Sequence, residues 1–418
     1  MVALVAREQR RFALEVVERL RQAGYIAYWA GGCVRDRLLG RTPKDYDVAT
    51  DALPEQIREL FGRRRTLAIG AAFGVISVIG PKSAGTVEVT TFRRDAAYSD
   101  GRHPDSVTFS TAEEDASRRD FTINGLFFDP LEDKVIDFVG GQDDLQKRQI
   151  RAIGLAQDRF REDKLRMLRA VRFAATFDFS LDQQTRVAIE QMTAEIHVVS
   201  AERIAMEMRR MLTDQGRVNG IRLLVETGLA RQIFPEILPA SSNDDQLLQD
   251  SLAVLGNLGK ECCFAVALAA LLMNHVSPST AEQLCRRWRL SNKEISLVVW
   301  LVAHHDALRH VQSMPWSRLQ PLLVAQEIEP LLTLMEARSP VDAEAAAYCR
   351  RLLAQPRETL DPPPLVTGND LLARGIAAGP QYRELLQRLR AAQLDNVVRT
   401  KEEALALAES WAETSQQA

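Results

Sequence analysis

Apolar and polar positions in the first third of the chain repeat with two different periods. Residues 5–22 place Phe12, Val16 and Leu20 on one face of a helix. Residues 25–30 alternate like a β-strand. Up to about residue 137, helical and strand-like runs then follow one another, with helices at 33–39 and 52–61 and strands at 74–79 and 86–92. These runs predict a mixed sheet with helices.

After Gly140 and Gly141 the apolar spacing becomes helical and stays so to the end of the chain. Breaks are predicted near residues 239–245, 277–279 and 361–364. Three consecutive prolines in the last of these breaks predict a stiff linker. Two helices are predicted beyond it, one opening at Thr367 and one at residues 382–395. The fold class is therefore expected to be α+β, with an α/β region followed by a long all-α remainder.

Length and composition narrow the class of protein. At 418 residues the chain is too long for one core and predicts two to four domains. It contains no run of 18 or more apolar residues, and its N-terminus lacks the apolar core of a signal peptide, so we expect a cytoplasmic protein without a membrane partner. The five cysteines are scattered, which favours reduced thiols over a zinc site.

The net charge of −3 conceals a strongly basic segment. Residues 147–172 contain nine basic and three acidic side chains. Contacts to nucleic-acid phosphates need such a local patch rather than a basic protein overall. The alternative interpretation is a solvated helix face with no binding role.

Two aspartates one residue apart, Asp45 and Asp47, are the best candidates for chemistry. Side chains two apart in a β-strand leave the same face, so this pair can hold two divalent ions about 3.5–4 Å apart, the separation used for in-line displacement at phosphorus. The spacing alone also occurs in ordinary surface strands and turns. Gly31 and Gly32, just upstream, favour the catalytic interpretation because their backbone N–H groups can approach a phosphate closely.

Arg35 and Glu88 extend this candidate site. Arg35 begins the predicted helix after the glycines and places positive charge where a triphosphate would lie. Glu88 shares a strand face with Thr90 and Phe92 and is a candidate third carboxylate. The alternative is an exposed strand residue, because sequence spacing does not show which strands pair.

Four motifs follow one another along the chain. They are residues 31–36 (Gly-Gly-Cys-Val-Arg-Asp) with 44–47 (Lys-Asp-Tyr-Asp), 118–124 (Arg-Arg-Asp-Phe-Thr-Ile-Asn), 162–166 (Glu-Asp-Lys-Leu-Arg) and 201–204 (Ala-Glu-Arg-Ile). Together they resemble class II tRNA nucleotidyltransferases and bacterial poly(A) polymerases, whose first half is similar to the polymerase-beta superfamily. The resemblance implies a polymerase-beta-like nucleotidyltransferase head at 1–138, a base-recognising neck at 139–205, a helical body at 206–360 and an RNA-binding tail at 361–418.

The second and third motifs supply most of the expected nucleotide contacts. The resemblance implies nucleotide binding by Arg118, Arg119, Asp120, Asn124, Arg169 and Arg172. The planar guanidinium group of arginine can donate two hydrogen bonds to phosphate oxygens. Asp120 can orient an arginine or accept a hydrogen bond from a ribose hydroxyl. A purely structural Arg–Asp brace is the alternative. At helical spacing Arg172 lies nearly opposite Asp163, so the two are not expected to read the same base edge.

Base choice is assigned to Glu162, Asp163 and Arg166, which are predicted to share one face of a helix. An aspartate accepts a hydrogen bond from the exocyclic amine of cytosine or adenine, and an arginine donates to the ring nitrogen or carbonyl beside it. Uracil and guanine present a carbonyl instead, which leaves Asp163 unpaired at a cost of about 1–3 kcal/mol. Such a site selects C and A without a template. The alternative is a surface ion pair.

The resemblance implies template-independent transfer of CMP and/or AMP from CTP and ATP to the 3′ end of tRNA, with release of pyrophosphate and with Mg²⁺ held by Asp45 and Asp47. No DNA partner is expected. Residues 98–104 resemble the loop of enzymes that add the terminal adenosine, which argues against addition of cytidines only. The rivals are a poly(A) polymerase, a small-molecule adenylyltransferase and a non-catalytic RNA-binding module.

The histidines of the helical body raise one more possibility. Some relatives carry a metal-dependent HD phosphohydrolase domain behind the head. Here His275 stands where a His-Asp pair is expected, and His304, His305 and Asp306 offer one adjacent pair. A working site needs several spaced ligands that converge, so we expect a degenerate HD-like region whose histidines lie on helix surfaces or in the core.

Overall fold

The structure is a computed structural model that describes residues 2–95, 106–237, 245–376 and 382–416. The chain divides into two compact units, residues 1–241 and 242–418. Within the described ranges no helix is both long and apolar enough to cross a bilayer. The finer division into head, neck, body and tail stays a prediction. Residues 98–104, and most of the break expected near 239–245, lie outside the described residues.

The first unit is built around a seven-stranded sheet. Its strands are β1 (Ala27–Ala30), β2 (Asp47–Thr50), β3 (Thr66–Gly70), β4 (Val75–Ile79), β5 (Thr86–Thr91), β8 (Phe127–Asp129) and β9 (Lys134–Ile136). Two strand pairs lie outside this sheet, β6 (Arg93–Asp95) with β7 (Val107–Phe109) and β10 (Gln149–Ile150) with β11 (Ser180–Leu181). The sheet order is β3-β4-β5-β2-β1-β8-β9, and only the β2–β5 pair in it is parallel.

Helices surround the sheet and make up the rest of this unit. They are α1 (Val2–Gln22), α2 (Gly32–Leu38), α3 (Pro54–Phe61), α4 (Ala112–Ser117), α5 (Gly141–Gln146), α6 (Ala156–Glu162), α7 (Leu165–Phe177), α8 (Gln183–Met192), α9 (Ala201–Leu212), α10 (Arg217–Glu226) and α11 (Leu229–Ile233). The mixed sheet followed by helices confirms the predicted fold class. The sequence patterns do not predict β3, β8 and β9 individually, because each is a short strand at or near an edge of the sheet.

The two faces of the sheet differ in what covers them. On one face Trp29, Val48 and Val89 are fully buried, and α1 and α3 pack over this side. On the other face Phe92 and Phe127 form a smaller cluster with Ala30, Ala49 and Ala116. Phe92 therefore packs on the face that also carries Asp47 and Glu88, as the alternation along β5 predicts.

The second unit is entirely helical among its described residues. Its helices are α12 (Asp245–Asn257), α13 (Phe264–Leu272), α14 (Pro278–Arg287), α15 (Asn292–His304), α16 (Trp316–Leu323), α17 (Ile328–Arg338), α18 (Pro340–Leu353), α19 (Arg357–Leu360), α20 (Gly368–Ala373), α21 (Tyr382–Leu394) and α22 (Lys401–Gln416). Every side chain of α13 is buried, so this helix forms the centre of the unit.

The predicted proline linker is followed by a small core of its own. Thr367 and Asp370 form a capping box at the start of α20. Leu371, Leu389 and Leu405 then bury their side chains in a cluster shared by α20, α21 and α22. Asp361, at the start of the linker, accepts hydrogen bonds from Gln320 Nε2 (2.8 Å) and Arg390 Nη2 (3.0 Å), so the linker is also held by side chains.

The substitution Leu371→Ala should loosen this terminal core. The Leu371 side chain is fully buried, so its truncation removes about 2–5 kcal/mol of stability. The neighbouring Leu372 is 51% exposed, and Leu372→Ala should change stability by no more than about 0.5 kcal/mol. Hydrogen exchange of the α21 and α22 amides checks this: only Leu371→Ala should accelerate it, and equal effects of the two variants would contradict the packing described.

Candidate active site

Asp47 and Asp45 lie at the edge of the sheet where β1 ends and β2 begins. Asp47 is the first residue of β2 and pairs with Ala30, the last residue of β1. Asp45 precedes the strand, so the prediction that both aspartates lie within one β-strand is wrong. The reason is that the chain leaves β1 at Gly31, and no strand remains beside the residues before Asp47. Both carboxylates are exposed to solvent, as a catalytic pair requires.

Glu88 lies beside Asp47 on the neighbouring strand. The two residues are direct partners in the parallel β2–β5 pair, so their side chains leave the same face of the sheet. The Asp47 side chain reaches solvent, yet surrounding protein atoms partly desolvate it. This desolvation, with the nearby charges of Glu88 and Asp45, raises the pKa of Asp47 to about 6 against the opposing effect of Arg119.

These three carboxylates are an oxygen-only donor set, which is the ligand chemistry that Mg²⁺ prefers. The negative charges of Glu88 and Asp45 contribute to the raised pKa of Asp47. A divalent cation bound between the carboxylates would reduce this repulsion. The three side chains do not converge as tightly as a finished metal site, since no group of three His, Cys, Asp or Glu side chains among the described residues is close enough to hold an ion. The donor chemistry fits the predicted metal, and the ligand role of each residue stays a prediction.

The glycine turn lies directly beside these carboxylates because Ala30 and Asp47 are paired. Gly31 has φ 69°, a conformation that residues with a side chain rarely adopt. A Cβ atom on Gly31 would also lie 2.9 Å from Arg119 Nη1. The Gly31 N–H donates to the Leu126 carbonyl (3.0 Å), so it anchors the turn, and the expectation that this N–H binds a phosphate is wrong. Gly32 follows as the first residue of α2.

Arg118 and Arg119 are both held by Asp115, a residue that the sequence motifs did not single out. Arg118 Nη2 lies 2.8 Å from Asp115 Oδ1, and Arg119 Nη2 lies 3.0 Å from Asp115 Oδ2. Burial alone would raise the pKa of Asp115, but the two arginines hold it below its usual value. The signal was present in the sequence, because Asp115 precedes them by three and four residues on a helical segment.

Asp120 and Asn124 connect the second motif to α2 and α7. Asp120 Oδ2 accepts from Arg169 Nη2 (2.6 Å), and Asp120 Oδ1 accepts from Asn124 Nδ2 (3.0 Å). Asn124 Oδ1 in turn accepts from Arg35 Nη1 (2.6 Å). Arg35 is 9% exposed, and its guanidinium carbon lies 4.5 Å from the ring centroid of Phe177. Arg35 therefore contacts protein groups on several sides, rather than projecting freely towards a phosphate.

Burial raises the pKa of Asp120, and the surrounding donors more than reverse this effect. The charge of Arg169 and the hydrogen bonds from Asn124 and Arg169 lower the pKa of Asp120 to about 2. The structural brace that the sequence left as an alternative is thus present, but its arginine is Arg169 of α7 rather than Arg118 or Arg119.

Glu162, Asp163 and Arg166 do not share one helix, so that prediction is wrong. Helix α6 ends at Glu162, Asp163 adopts an extended backbone (φ −149°), and α7 begins at Leu165. An aspartate can offer its carboxylate to nearby backbone N–H groups and so end a helix. Here Asp163 Oδ1 accepts from the Leu165 N–H (3.1 Å).

The break nevertheless keeps the three residues together. The Arg166 N–H donates to the Asp163 carbonyl (3.0 Å), and Arg166 Nη1 forms a short ion pair with Glu162. Asp163 Oδ2 accepts from Nη2 of Arg203, the arginine of the fourth motif (2.7 Å). Arg203 was not among the predicted site residues, although its motif was recognised. It holds the carboxylate that is predicted to read the base.

Arg172 pairs with Glu207 of α9, and neither residue is more than 8% exposed. Its guanidinium also lies 4.1 Å from the ring centroid of Phe173. The helical-rotation argument that set Arg172 opposite Asp163 no longer applies, because Asp163 is not part of α7. These contacts engage Arg172 within the protein, and a nucleotide-binding role for it stays a prediction.

The histidines of the second unit bond to nearby protein groups. His275 Nε2 lies 3.1 Å from Ser251 Oγ, and His304 Nδ1 lies 2.8 Å from the Trp300 carbonyl. His305 Nδ1 lies 2.8 Å from the Val302 carbonyl, and its Nε2 lies 3.4 Å from an oxygen of Asp306.

Comparison with known proteins places this arrangement in a class. A family model described as "Poly A polymerase head domain" matches residues 27–151, and a model for an RNA-binding site of polymerase A matches residues 178–241. A model for domain 2 of tRNA nucleotidyltransferases matches residues 265–408. The fold is that of a nucleotidyltransferase with a poly(A) polymerase head.

Relatives that match over almost the whole chain identify the family more narrowly. The CCA-adding enzyme of Geobacillus kaustophilus is 34% identical over 94% of both chains, and that of Latilactobacillus sakei is 34% identical over 93% of this chain and 95% of the relative. The crystal structure of the Bacillus stearothermophilus CCA-adding enzyme in complex with CTP is 31% identical and covers 97% of this chain and 98% of its own, with a TM-score of 0.76. The chain belongs to the CCA-adding enzyme family of tRNA nucleotidyltransferases.

The substitution Asp120→Asn should reduce stability in a pH-dependent way. The pKa of about 2 in the folded protein lies below the ordinary value of 3.8, so the ion pair contributes about 2 kcal/mol above pH 3.8 and this contribution is lost as the pH falls towards 2. Denaturant unfolding at pH 7 and pH 3 measures the difference.

A matched control is Asp158→Asn, which removes only an exposed pair with Arg161 and should change stability by less than about 1 kcal/mol at either pH. If Asp120→Asn lowered the free energy of unfolding equally at pH 7 and pH 3, the predicted contribution of the ion pair would be contradicted.

Proposed function

We propose that the protein transfers CMP and AMP from CTP and ATP to the 3′ end of tRNA without a template and releases pyrophosphate. The observation that carries this proposal is the placement of Asp47 and Glu88 as strand partners directly beside the Gly31 turn. The family membership supports the choice of reaction, because the relatives are CCA-adding enzymes and one was solved with CTP.

Asp45 and Asp47, with Glu88, are the residues proposed to hold Mg²⁺. Their carboxylate oxygens suit this ion, and they lie at one end of the sheet with an opening to solvent. When bound, the ions activate the terminal ribose hydroxyl and stabilise the departing pyrophosphate. The five free cysteines, three of them buried, fit a reducing cytoplasmic environment.

The triphosphate is proposed to lie against the glycine turn and the second motif. At Gly31 the missing Cβ lets Arg119 approach the turn closely, and the Arg119 side chain is partly exposed there. Asp115 holds the Arg118 and Arg119 guanidinium groups in fixed positions. Because these side chains are already ordered, binding a phosphate costs less conformational entropy.

Base choice is proposed to rest on Asp163 and Arg166 at the break between α6 and α7. Asp163 is fixed by the Leu165 N–H and by Arg203, and Arg166 is fixed by Glu162 and by the Arg159 carbonyl (3.0 Å). A carboxylate acceptor beside a guanidinium donor matches the amine and ring nitrogen of cytosine or adenine. The uncharged carbonyl edge of uracil or guanine leaves the carboxylate without a donor.

A poly(A) polymerase activity is the second candidate, because the head matches the poly(A) polymerase family model. Purified protein should be tested on tRNA ending before CCA, on tRNA ending in CC and on an unstructured RNA, with each nucleoside triphosphate alone. We expect CMP addition to the first RNA, AMP addition to the second and little extension of the third. Long adenosine tails on the unstructured RNA would favour the polymerase instead.

Replacement of Asp47 by Asn should abolish nucleotide transfer. Metal-bound groups supply several kcal/mol of transition-state stabilisation, so incorporation into tRNA should fall at least about 100-fold. Asp51→Asn is the matched control. Asp51 is exposed and lies four residues after Asp47, and its Oδ1 accepts a hydrogen bond from the Ile26 N–H, which an asparagine oxygen can also accept. Full activity in Asp47→Asn would refute the catalytic assignment.

Replacement of Asp163 by Asn should relax base selection while leaving the metal site unchanged. The variant loses the carboxylate acceptor that disfavours uracil and guanine, so the preference for CTP over UTP should fall about tenfold or more. Competition between labelled CTP and UTP measures the ratio. Asp158→Asn, five residues earlier on α6, should keep the wild-type preference, and an unchanged ratio in Asp163→Asn would show that another group reads the base.

A further inference from the structure

The sheet face that carries Asp47 and Glu88 extends, in register, onto the strands at the sheet edge. Asp47 pairs with Glu88, Glu88 pairs with Ser77 of β4, and Ser77 pairs with Leu67 of β3. Directly paired residues point to the same side of a sheet, so these four side chains form one row across four strands. At the usual strand spacing, Leu67 lies roughly 10 Å from Glu88.

This part of the face is open, whereas the reverse side is covered. On the reverse side Ile76, Val78 and Val89 are buried under α1 and α3. On the open side Ser77 is half-buried and Leu67 is 44% exposed. Ile69 lies on the outer strand β3 where the β3–β4 register shifts, so it is outside the paired row, and its side chain is 92% exposed, although an isoleucine in a strand is normally packed. We call Leu67 and Ser77 of this row, together with the exposed Ile69 two residues further along β3, the edge face.

The geometry of in-line displacement indicates which part of the substrate lies over the edge face. In displacement at phosphorus the attacking and leaving oxygens lie in line on opposite sides of the reacting atom. The proposed triphosphate site, at Gly31 and Arg119, lies on the β1 side of Asp47. The attacking RNA end must then approach from the other side, which is the side of β5, β4 and β3.

Charge at the same end of the sheet agrees with this direction. Arg63, Arg64 and Arg65 are exposed and immediately precede β3. Because β3 and β2 both begin at the end of the sheet that carries Asp45, these arginines lie at the catalytic end. Arg63 pairs with Glu55 and Arg65 donates to the Ile79 carbonyl, whereas Arg64 has no hydrogen-bond or ion-pair partner among the described residues.

We propose that the edge face, together with Arg64, binds the single-stranded 3′-terminal nucleotides of the RNA substrate. Leu67 and Ile69 provide apolar surface for the faces of the terminal bases, and Arg64 contacts a backbone phosphate. Ser77 lies between this surface and Glu88, where the terminal ribose would meet the carboxylates. This inference rests on the proposed function and adds a binding site for the RNA end to it.

The test is a pair of charge-introducing variants, Leu67→Asp and Ile69→Asp, combined in one protein. Both positions are exposed, so the variant should fold, and its carboxylates repel the RNA. The KM for tRNA ending before CCA should rise at least tenfold, while the KM for CTP stays within twofold of wild type. Leu131→Asp is the matched control, because Leu131 is 42% exposed beside β9 at the opposite edge of the sheet, and this variant should behave as wild type.

Two binding measurements made without nucleotide or metal add readouts that do not depend on catalysis. A 4-thiouridine at the 3′ end of the tRNA should crosslink to β3 or β4 in the wild type, and the double variant should lose this crosslink. Arg64→Ala should lower the slope of log K against log salt by about 0.7, as loss of one single-strand phosphate contact predicts. Arg11→Ala, an exposed arginine of α1 behind the sheet, should leave the slope unchanged.

The outcomes separate this inference from the function on which it rests. Normal nucleotide transfer by the double variant, with an unchanged KM for tRNA and an unchanged crosslink, would overturn the RNA-end site and leave the proposed function standing. Wild-type protein that transfers no nucleotide to any RNA would overturn both.

Discussion

The ion pair between Asp120 and Arg169 is the contact on which the geometry of the first unit depends. It joins the second motif, beside the sheet, to α7, which begins just after the break at Asp163. Asn124 and Arg35 extend the same network to α2 and therefore to the glycine turn. A buried carboxylate that kept its charge without these partners would cost several kcal/mol, so the network forms as a whole. It sets the distance between the glycine turn and the break between α6 and α7.

The motif arginines share a second feature, which is that an acidic residue holds each of them. Asp115 holds Arg118 and Arg119, Glu162 holds Arg166, and Glu207 holds Arg172. These pairs order several arginines within a chain whose net charge is −3. The acids balance the arginines within the protein and fix their rotamers, so a ligand meets donors that are already in place.

Much of this organisation could be predicted from the sequence, and the failures have physical causes. Periodicity located α1, α3 and α21 within a few residues, since these helices present continuous apolar faces. The same reasoning wrongly joined Glu162 to Arg166, because spacing does not show that the Asp163 carboxylate ends the helix by accepting a backbone hydrogen bond. Asp115 was missed although its spacing from Arg118 and Arg119 is visible in the sequence, because spacing does not show that its carboxylate is buried. The pairing of Asp47 with Glu88 was left open for the same reason.

The parallel pairing of β2 with β5 has a consequence for how the protein acquires its activity during folding. Asp47 and Glu88 are separated by about 40 residues, and β3 and β4 lie between them in the chain. Contacts of such long sequence separation close late, because the loop entropy is spent before the pairing energy is gained. A nascent or partly unfolded chain that lacks the β2–β5 pairing therefore also lacks the adjacent carboxylates of Asp47 and Glu88.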